Sequence, residues 1–207
     1  MAEIAPRRGK TEAGRGSRTV TQVEVGEAFL ITGIPGAGKS TTARALAASF
    51  PRGVHIEGDV LRFDFVVSGL PDPFADEAGR REWDLQMELG RKHEGMLAGS
   101  FADAGFTPVI DDVITHPSVL DQVVRPLATR PVRLVVLAPP IDIVAQRDAT
   151  REKHVFETWK HLDEQLRTRM RAFGFWIEDA DLTVDEVVRE ILANRDRATL
   201  PQGDYPQ

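Results

Sequence analysis

Lys39 and Ser40 close the run Gly33-Ile34-Pro35-Gly36-Ala37-Gly38-Lys39-Ser40, which completes the spacing G-x-x-x-x-G-K-[ST]. Residues of these types at this spacing suit a loop that holds the phosphates of a nucleotide. Glycines let the backbone take turns that side chains would block, so that successive N–H groups can converge on an anion. A helix beginning near Lys39 adds its partial positive end to the same spot. Lys39 brings a mobile cation to the β- and γ-phosphates, and the Ser40 hydroxyl can ligate Mg²⁺. Gly33, Gly36, Ala37, Gly38, Lys39, Ser40 and Thr41 are therefore the expected nucleotide-binding residues.

Further charged residues recur just after apolar segments. Asp59 follows Gly53-Val54-His55-Ile56-Glu57 and could take the proton of an attacking hydroxyl. Arg62, one helical turn on, could hold an anionic group or steady Asp59. The alternative is Asp59 as a helix cap with Arg62 solvated; Glu57 and Asp64 are competing carboxylates. Asp111 and Asp112 end the apolar Val109-Ile110. One acid there suits Mg²⁺ held through water, while the other points the opposite way, toward an acceptor. We expect Ser40 and Asp111 at the metal, and Asp59, Arg62, Asp112 and His116 at the acceptor. A histidine just before a proline, as His116 stands before Pro117, is more often a turn residue. Arg147 and Arg151 lie four apart on one helical face, where they could close over the phosphates. With Lys39 and Asp59 they complete the expected catalytic set; the competing reading is an exposed helix laced with Asp148 and Glu152.

Positioning these residues requires alternating strands and helices. Ala28-Phe29-Leu30-Ile31 reads as a buried strand entering Gly33, and Thr41 to Phe50 as a helix with apolar residues at helical spacing. Strands are expected at Gly53–Glu57, Pro108–Ile114, Val132–Leu137 and Phe175–Ile177, the last anchored in the core by Trp176. Helices are expected at Val60–Ser68, Gly79–Ala104, Pro117–Thr129, Ile141–Arg151, Glu157–Phe173 and Val184–Ala193. The last starts from a capping box, Thr183-x-x-Glu186. In the long helix Trp83, Met87, Gly90, Leu97, Phe101 and Ala104 are expected to share the inner side, with Gly90, Gly95 and Gly99 explained by close packing on the sheet. Repeated βα units predict an α/β fold: a three-layer arrangement with a parallel sheet of about five strands and helices on both faces. Ligands then bind beyond the carboxyl ends of the strands.

Composition sets the outer limits. The 207 residues suit one domain, expected over 25–195, with the lid near 147–156. Residues 1–24 read as a disordered basic tail and 196–207 as a loose end. No apolar run is long enough to span a membrane, a signal segment is not expected in the opening residues, and the absence of cysteine excludes disulfides. Cytoplasmic residence is the simplest expectation. A formal net charge of −6 disfavours nucleic acid as the main partner. No feature decides the oligomeric state.

The ordered set Gly33–Ser40, Gly58-Asp59-Val60-Leu61, Ile110-Asp111-Asp112-Val113 and Arg147–Arg151 resembles the small P-loop kinases, above all the chloramphenicol phosphotransferase-like and zeta-toxin-like branch. The likeness runs from about Phe29 to Ala193. It implies an ATP- and Mg²⁺-dependent kinase, with Asp59 as base and a lid over the nucleotide. The expected acceptor is a small hydroxyl-bearing molecule such as an antibiotic, a nucleoside or a sugar; an antibiotic acceptor would imply resistance. The Asp59–Arg62 pair also looks like an element of 5′-hydroxyl polynucleotide kinases and related nucleotide kinases, the alternative reading, in which Arg80 and Arg81 would serve the acceptor phosphate. A nucleotide-binding regulator without an acceptor is the third; the guanine-reading Asn/Thr-Lys-x-Asp element of a GTP switch does not occur.

Overall fold

The computed structural model describes residues 26–127, 130–150, 154 and 156–203. Within them β1 (Ala28–Thr32), β2 (Gly53–Glu57), β3 (Thr107–Asp112), β4 (Val132–Leu137) and β5 (Phe175–Ile177) form one sheet in the order β2-β3-β1-β4-β5. All four pairings are parallel. Parallel strands covered on both faces read as unbroken apolar runs, and all five residues of β1, the central strand, are buried. The chain leaves β1 toward β2 through α1 (Lys39–Ala48). It returns across the sheet through α2 (Glu77–Asp103) and α3 (Pro117–Val124). With right-handed crossovers this puts α1 on one face, where α7 (Val184–Ala193) packs beside it, and α2 with α3 on the other. The expected three-layer α/β architecture is the one observed.

The connection leaving β1 runs opposite to those leaving β3 and β4, its two neighbours. Such a reversal opens a crevice at the carboxyl ends of the strands. The loop Gly33–Gly38 fills it, and the ends of β3 and β4 flank it.

Several elements differ from the sequence expectation. Val60–Asp64 is a π-helical turn, not a helix to Ser68. α2 starts two residues early because Asp76 caps it, its carboxylate accepting from the Gly79 N–H at 2.7 Å. Its buried side is Met87, Gly90, Glu94, Gly95, Ala98, Gly99 and Ala102, whereas Leu97 and Ala104 are exposed. The glycines do allow close packing, but not on the sheet. A Cβ on Gly90 would collide with the Arg62 side chain, and one on Gly95 with the Val123 carbonyl of α3. β3 stops at Asp112, short of Ile114, and α3 passes into a 3-10 turn, Arg125–Leu127. The expected helix over 157–173 is two pieces, α5 (Phe156–Trp159) and α6 (His161–Arg169), after α4 (Ile141–Ala149). In β5 Phe175 and Ile177 enter the core, and Trp176 lies half-buried with its indole N–H on the Phe173 carbonyl at 3.0 Å.

The Thr183–Glu186 capping box is present as expected. Residues 198–200 are less loose than their composition suggests. Ala198 and Leu200 are buried, and the backbone of 198–200 pairs with Val132 and Leu134, covering the part of the β4 edge that β5 does not reach. The expected tail 1–24 lies outside the described residues.

Candidate active site

The phosphate-binding loop is shaped by where its glycines stand. Gly33 leaves β1 against the Leu137 carbonyl, where a side chain could not fit. Gly38 precedes α1 in the left-handed region, at φ 98°, which turns the chain directly into the helix. No side chain caps α1, and no acidic residue occupies its first turn. Its N-terminal N–H groups and partial positive charge are therefore left for an anion. Lys39 reaches back across the loop, its Nζ donating to the Ile34 carbonyl at 3.2 Å. Ala37 is buried and Thr41 exposed at the helix start.

Strand register decides what stands beside this loop. Ile31 and Thr32 of β1 pair with Asp111 and Asp112 of β3. Asp111 is buried, and its Oδ2 accepts from the Ser40 hydroxyl at 2.7 Å. Oδ1 of the same carboxylate lies 2.5 Å from His55 Nε2. The two expected metal residues are thus brought together, with a histidine whose place in the sequence marks it only as a plain strand residue. Thr32 carries no sequence signal either: its hydroxyl donates to the Ile114 carbonyl and accepts from the Ile114 N–H, tying the β1 end to the segment after β3.

A second group gathers around Arg62. Its Nη2 donates to Asp59 Oδ1 at 2.9 Å and to Asp112 Oδ1 at 2.5 Å, and its Nη1 donates to Glu94 Oε1. Arg62, Asp112 and Glu94 are all buried, whereas the Asp59 side chain is 67% exposed. Asp59 makes no capping hydrogen bond. Arg62 was expected to hold an anionic group or to steady Asp59, and Asp112 to face the acceptor. In the fold Arg62 is sunk among three carboxyls and steadies Asp59, and Asp112 Oδ1 accepts from it. Glu94, absent from the sequence expectation, carried no signal beyond its place at helical spacing from Gly90.

Two fully enclosed carboxyls, Glu94 and Asp112, share the Arg62 guanidinium, with Arg91 3.6 Å from Asp112 Oδ2, and Glu94 is left poorly compensated. Burial raises its pKa to about 9, with the Asp112 carboxylate pushing the same way and Arg62 and Arg91 opposing. Burial also works against the charge on Arg62, but Asp112, Glu94 and Asp59 outweigh it and hold its pKa above the ordinary arginine value. Folding therefore tightens proton binding at Glu94. Its contribution to stability is complete below its unfolded value near 4.5 and is lost as pH rises toward about 9. Between about pH 5 and about pH 9 the melting temperature of Glu94→Gln should consequently fall less than that of the wild type. Parallel melting profiles for the two proteins would show Glu94 ionised throughout.

The remaining expected residues stand apart. His116 caps α3, its Nδ1 accepting from the Ser118 N–H at 3.1 Å and lying 2.8 Å from the Ser118 hydroxyl. That is the turn role its place before Pro117 allowed. Arg147 is exposed on α4 and donates to the Ala180 carbonyl at 3.3 Å. Val144, one turn earlier, is buried against Gly36, so α4 leans on the phosphate loop. Asp148, also buried, accepts from the Phe156 N–H and anchors the far side of the expected lid. Arg151 lies outside the described residues.

Comparison with known proteins agrees with this architecture. The family model AAA_33, described as AAA domain, matches residues 29–174, more than half of the chain. A UPF0200 protein of Aeropyrum pernix is 36% identical over 81 residues, which are 39% of this chain and 43% of that protein. The chain thus matches less than half the length of that relative. Among solved structures, an unliganded sugar kinase from Janibacter sp. HTCC2649 superposes with a TM-score of 0.59 at 20% identity, covering 84% of this chain and 96% of that one. The tunicamycin resistance protein of Deinococcus radiodurans gives a TM-score of 0.58 at 18% identity, covering 85% and 99%. At these identities the structures speak for the fold. Among the described residues no helix is long and apolar enough to cross a membrane.

Proposed function

The chain belongs to the AAA domain family, and from that premise we propose that it is an ATP-dependent phosphotransferase moving the γ-phosphoryl group to a hydroxyl of a small molecule. The observation that carries this reading is the pairing of a complete phosphate loop with two separately placed acids. Asp111 is buried and bonded to Ser40, while Asp59 is exposed and aimed by Arg62. Lys39 and the α1 N-terminus hold the phosphates, and Asp59 takes the acceptor proton.

The residues also suit Mg²⁺. Ser40 and Asp111 present hard oxygen donors 2.7 Å apart. No group of three or more His, Cys, Asp or Glu among the described residues forms a metal cage. That matches an ion which keeps several waters and draws further ligands from nucleotide phosphates. When bound, Mg²⁺ neutralises charge on the phosphates.

The segment between Asp59 and α2 favours a small acceptor over a nucleic-acid end. Phe63, Phe65, Val67 and Phe74 expose apolar surface along it. The arginines that a polynucleotide end would need there are engaged. Arg80 donates to the Pro73 carbonyl and lies over the Phe74 ring, and Arg81 pairs with Glu77. Within this class the chloramphenicol phosphotransferase-like and zeta-toxin-like branch is our preferred kinship, supported by the shared motif order.

The test is ATP consumption with Mg²⁺ against a panel of hydroxylated antibiotics, nucleosides and sugars, with mass detection of the phosphorylated product. 5′-Hydroxyl DNA and RNA run alongside. We expect a phosphorylated small molecule. Efficient, salt-sensitive labelling of oligonucleotides by protein lacking residues 1–20 would transfer the assignment to the polynucleotide class.

A further inference from the structure

We propose that His55 is a positioning residue for the metal–nucleotide complex, acting by fixing the plane in which the Asp111 carboxylate faces Ser40. The inference rests on the phosphotransferase reading and deepens it. It starts from strand register. In the β2–β3 pairing His55 stands opposite Val109 and Glu57 opposite Asp111. Side chains alternate along a strand, so residues 55 and 57 of β2 and residues 109 and 111 of β3 share one face of the sheet. Diagonal neighbours across paired strands are within reach of a long side chain. The imidazole spans that diagonal, and Ser40, at the start of α1, reaches Asp111 on this same face.

The result divides the two oxygens of one buried carboxylate. Oδ1 is taken by His55 Nε2 and Oδ2 by the Ser40 hydroxyl, at 2.5 and 2.7 Å. An ionised carboxylate only accepts, so the histidine nitrogen that meets it carries the proton. Rotation of an aspartate carboxylate about its last bond is soft and nearly two-fold. Ser40 alone would therefore leave its direction poorly defined once the hydroxyl turns from donating to Asp111 toward ligating a cation. His55, only 13% exposed and seated on a strand, is a fixed partner that survives that exchange. Partners of this kind behind metal-binding carboxylates typically contribute about 10- to 100-fold to metal affinity.

The experiment is a titration of the full chain with Mn²⁺ in the presence of a non-hydrolysable ATP analogue, with free Mn²⁺ read by electron paramagnetic resonance. Affinity for the analogue in EDTA is measured in parallel. His55→Leu should weaken Mn²⁺ binding by about 10-fold or more while leaving metal-free nucleotide affinity unchanged. His55→Gln, which restores a donor at similar reach, should recover most of the loss. Should His55→Leu not fold, His55→Phe carries the same comparison. Wild-type Mn²⁺ affinity in the variant lacking the donor would overturn the role. So would equal losses with and without metal, or no recovery with Gln. Failure of the wild-type protein to bind the Mn²⁺–nucleotide complex would instead strike at the phosphotransferase reading itself.

Discussion

Lys39→Ala should yield a folded protein whose phosphoryl transfer is lower by about 10²–10³-fold, the scale on which removing one preorganised charge-stabilising donor acts. Lys39 is the side-chain cation of the phosphate loop, and its Nζ stands over that loop through the Ile34 carbonyl. Truncation removes it from a reaction governed by electrostatic positioning, in which charge develops on the departing group. The fold should tolerate the change. Lys39 is only half-buried, and the loop geometry comes from Gly33, Gly38 and the buried Ile34 and Ala37. Steady-state kinetics on the acceptor found by the panel, beside thermal melting, separates the two effects. Turnover within a few-fold of wild type would remove Lys39 from the mechanism.

Asp59→Asn should keep ATP affinity and thermal stability and lower transfer by about 10²-fold or more, as for a lost general base. The fold makes this substitution unusually clean. Asp59 makes no capping bond to the backbone, and its side chain is mostly exposed. Its hydrogen bond to Arg62 is through Oδ1, which asparagine can retain. The buried part of the network, Arg62 with Asp112 and Glu94, is left intact. What disappears is the capacity to take a proton. Single-turnover transfer at saturating ATP is the measurement, and an unchanged rate would reduce Asp59 to a partner of Arg62.

The part of this molecule legible in its sequence is the part that local chemistry specifies. A glycine at left-handed φ before a helix, a lysine and a hydroxyl at fixed offsets, and apolar runs of five or six residues carry their conformation in a few neighbouring positions. The loop Gly33–Ser40, the full span of β2, β4 and β5, and the capping box at Thr183 were readable for that reason. So was the fold class, because strands buried on both faces cannot hide their apolar continuity.

Strand order and burial were decided elsewhere. Only the order β2-β3-β1 sets Asp111 beside Ser40 and within reach of His55, and a pairing register is a property of two distant segments. The same holds for Arg62. In the sequence it is a charged residue one turn from an acid, which reads as solvated, as a ligand hand or as a support for Asp59. In the fold Gly90 leaves space for its stem, and Glu94 and Asp112 close over its head. The phase of α2 followed from that packing rather than from its large apolar residues. Local patterns report what a backbone segment prefers, whereas the cost of burying charge is settled only when remote partners arrive to meet it. The phosphate loop was therefore written in the sequence, and Asp59, Asp111 and Asp112 acquired their separate surroundings from tertiary structure alone.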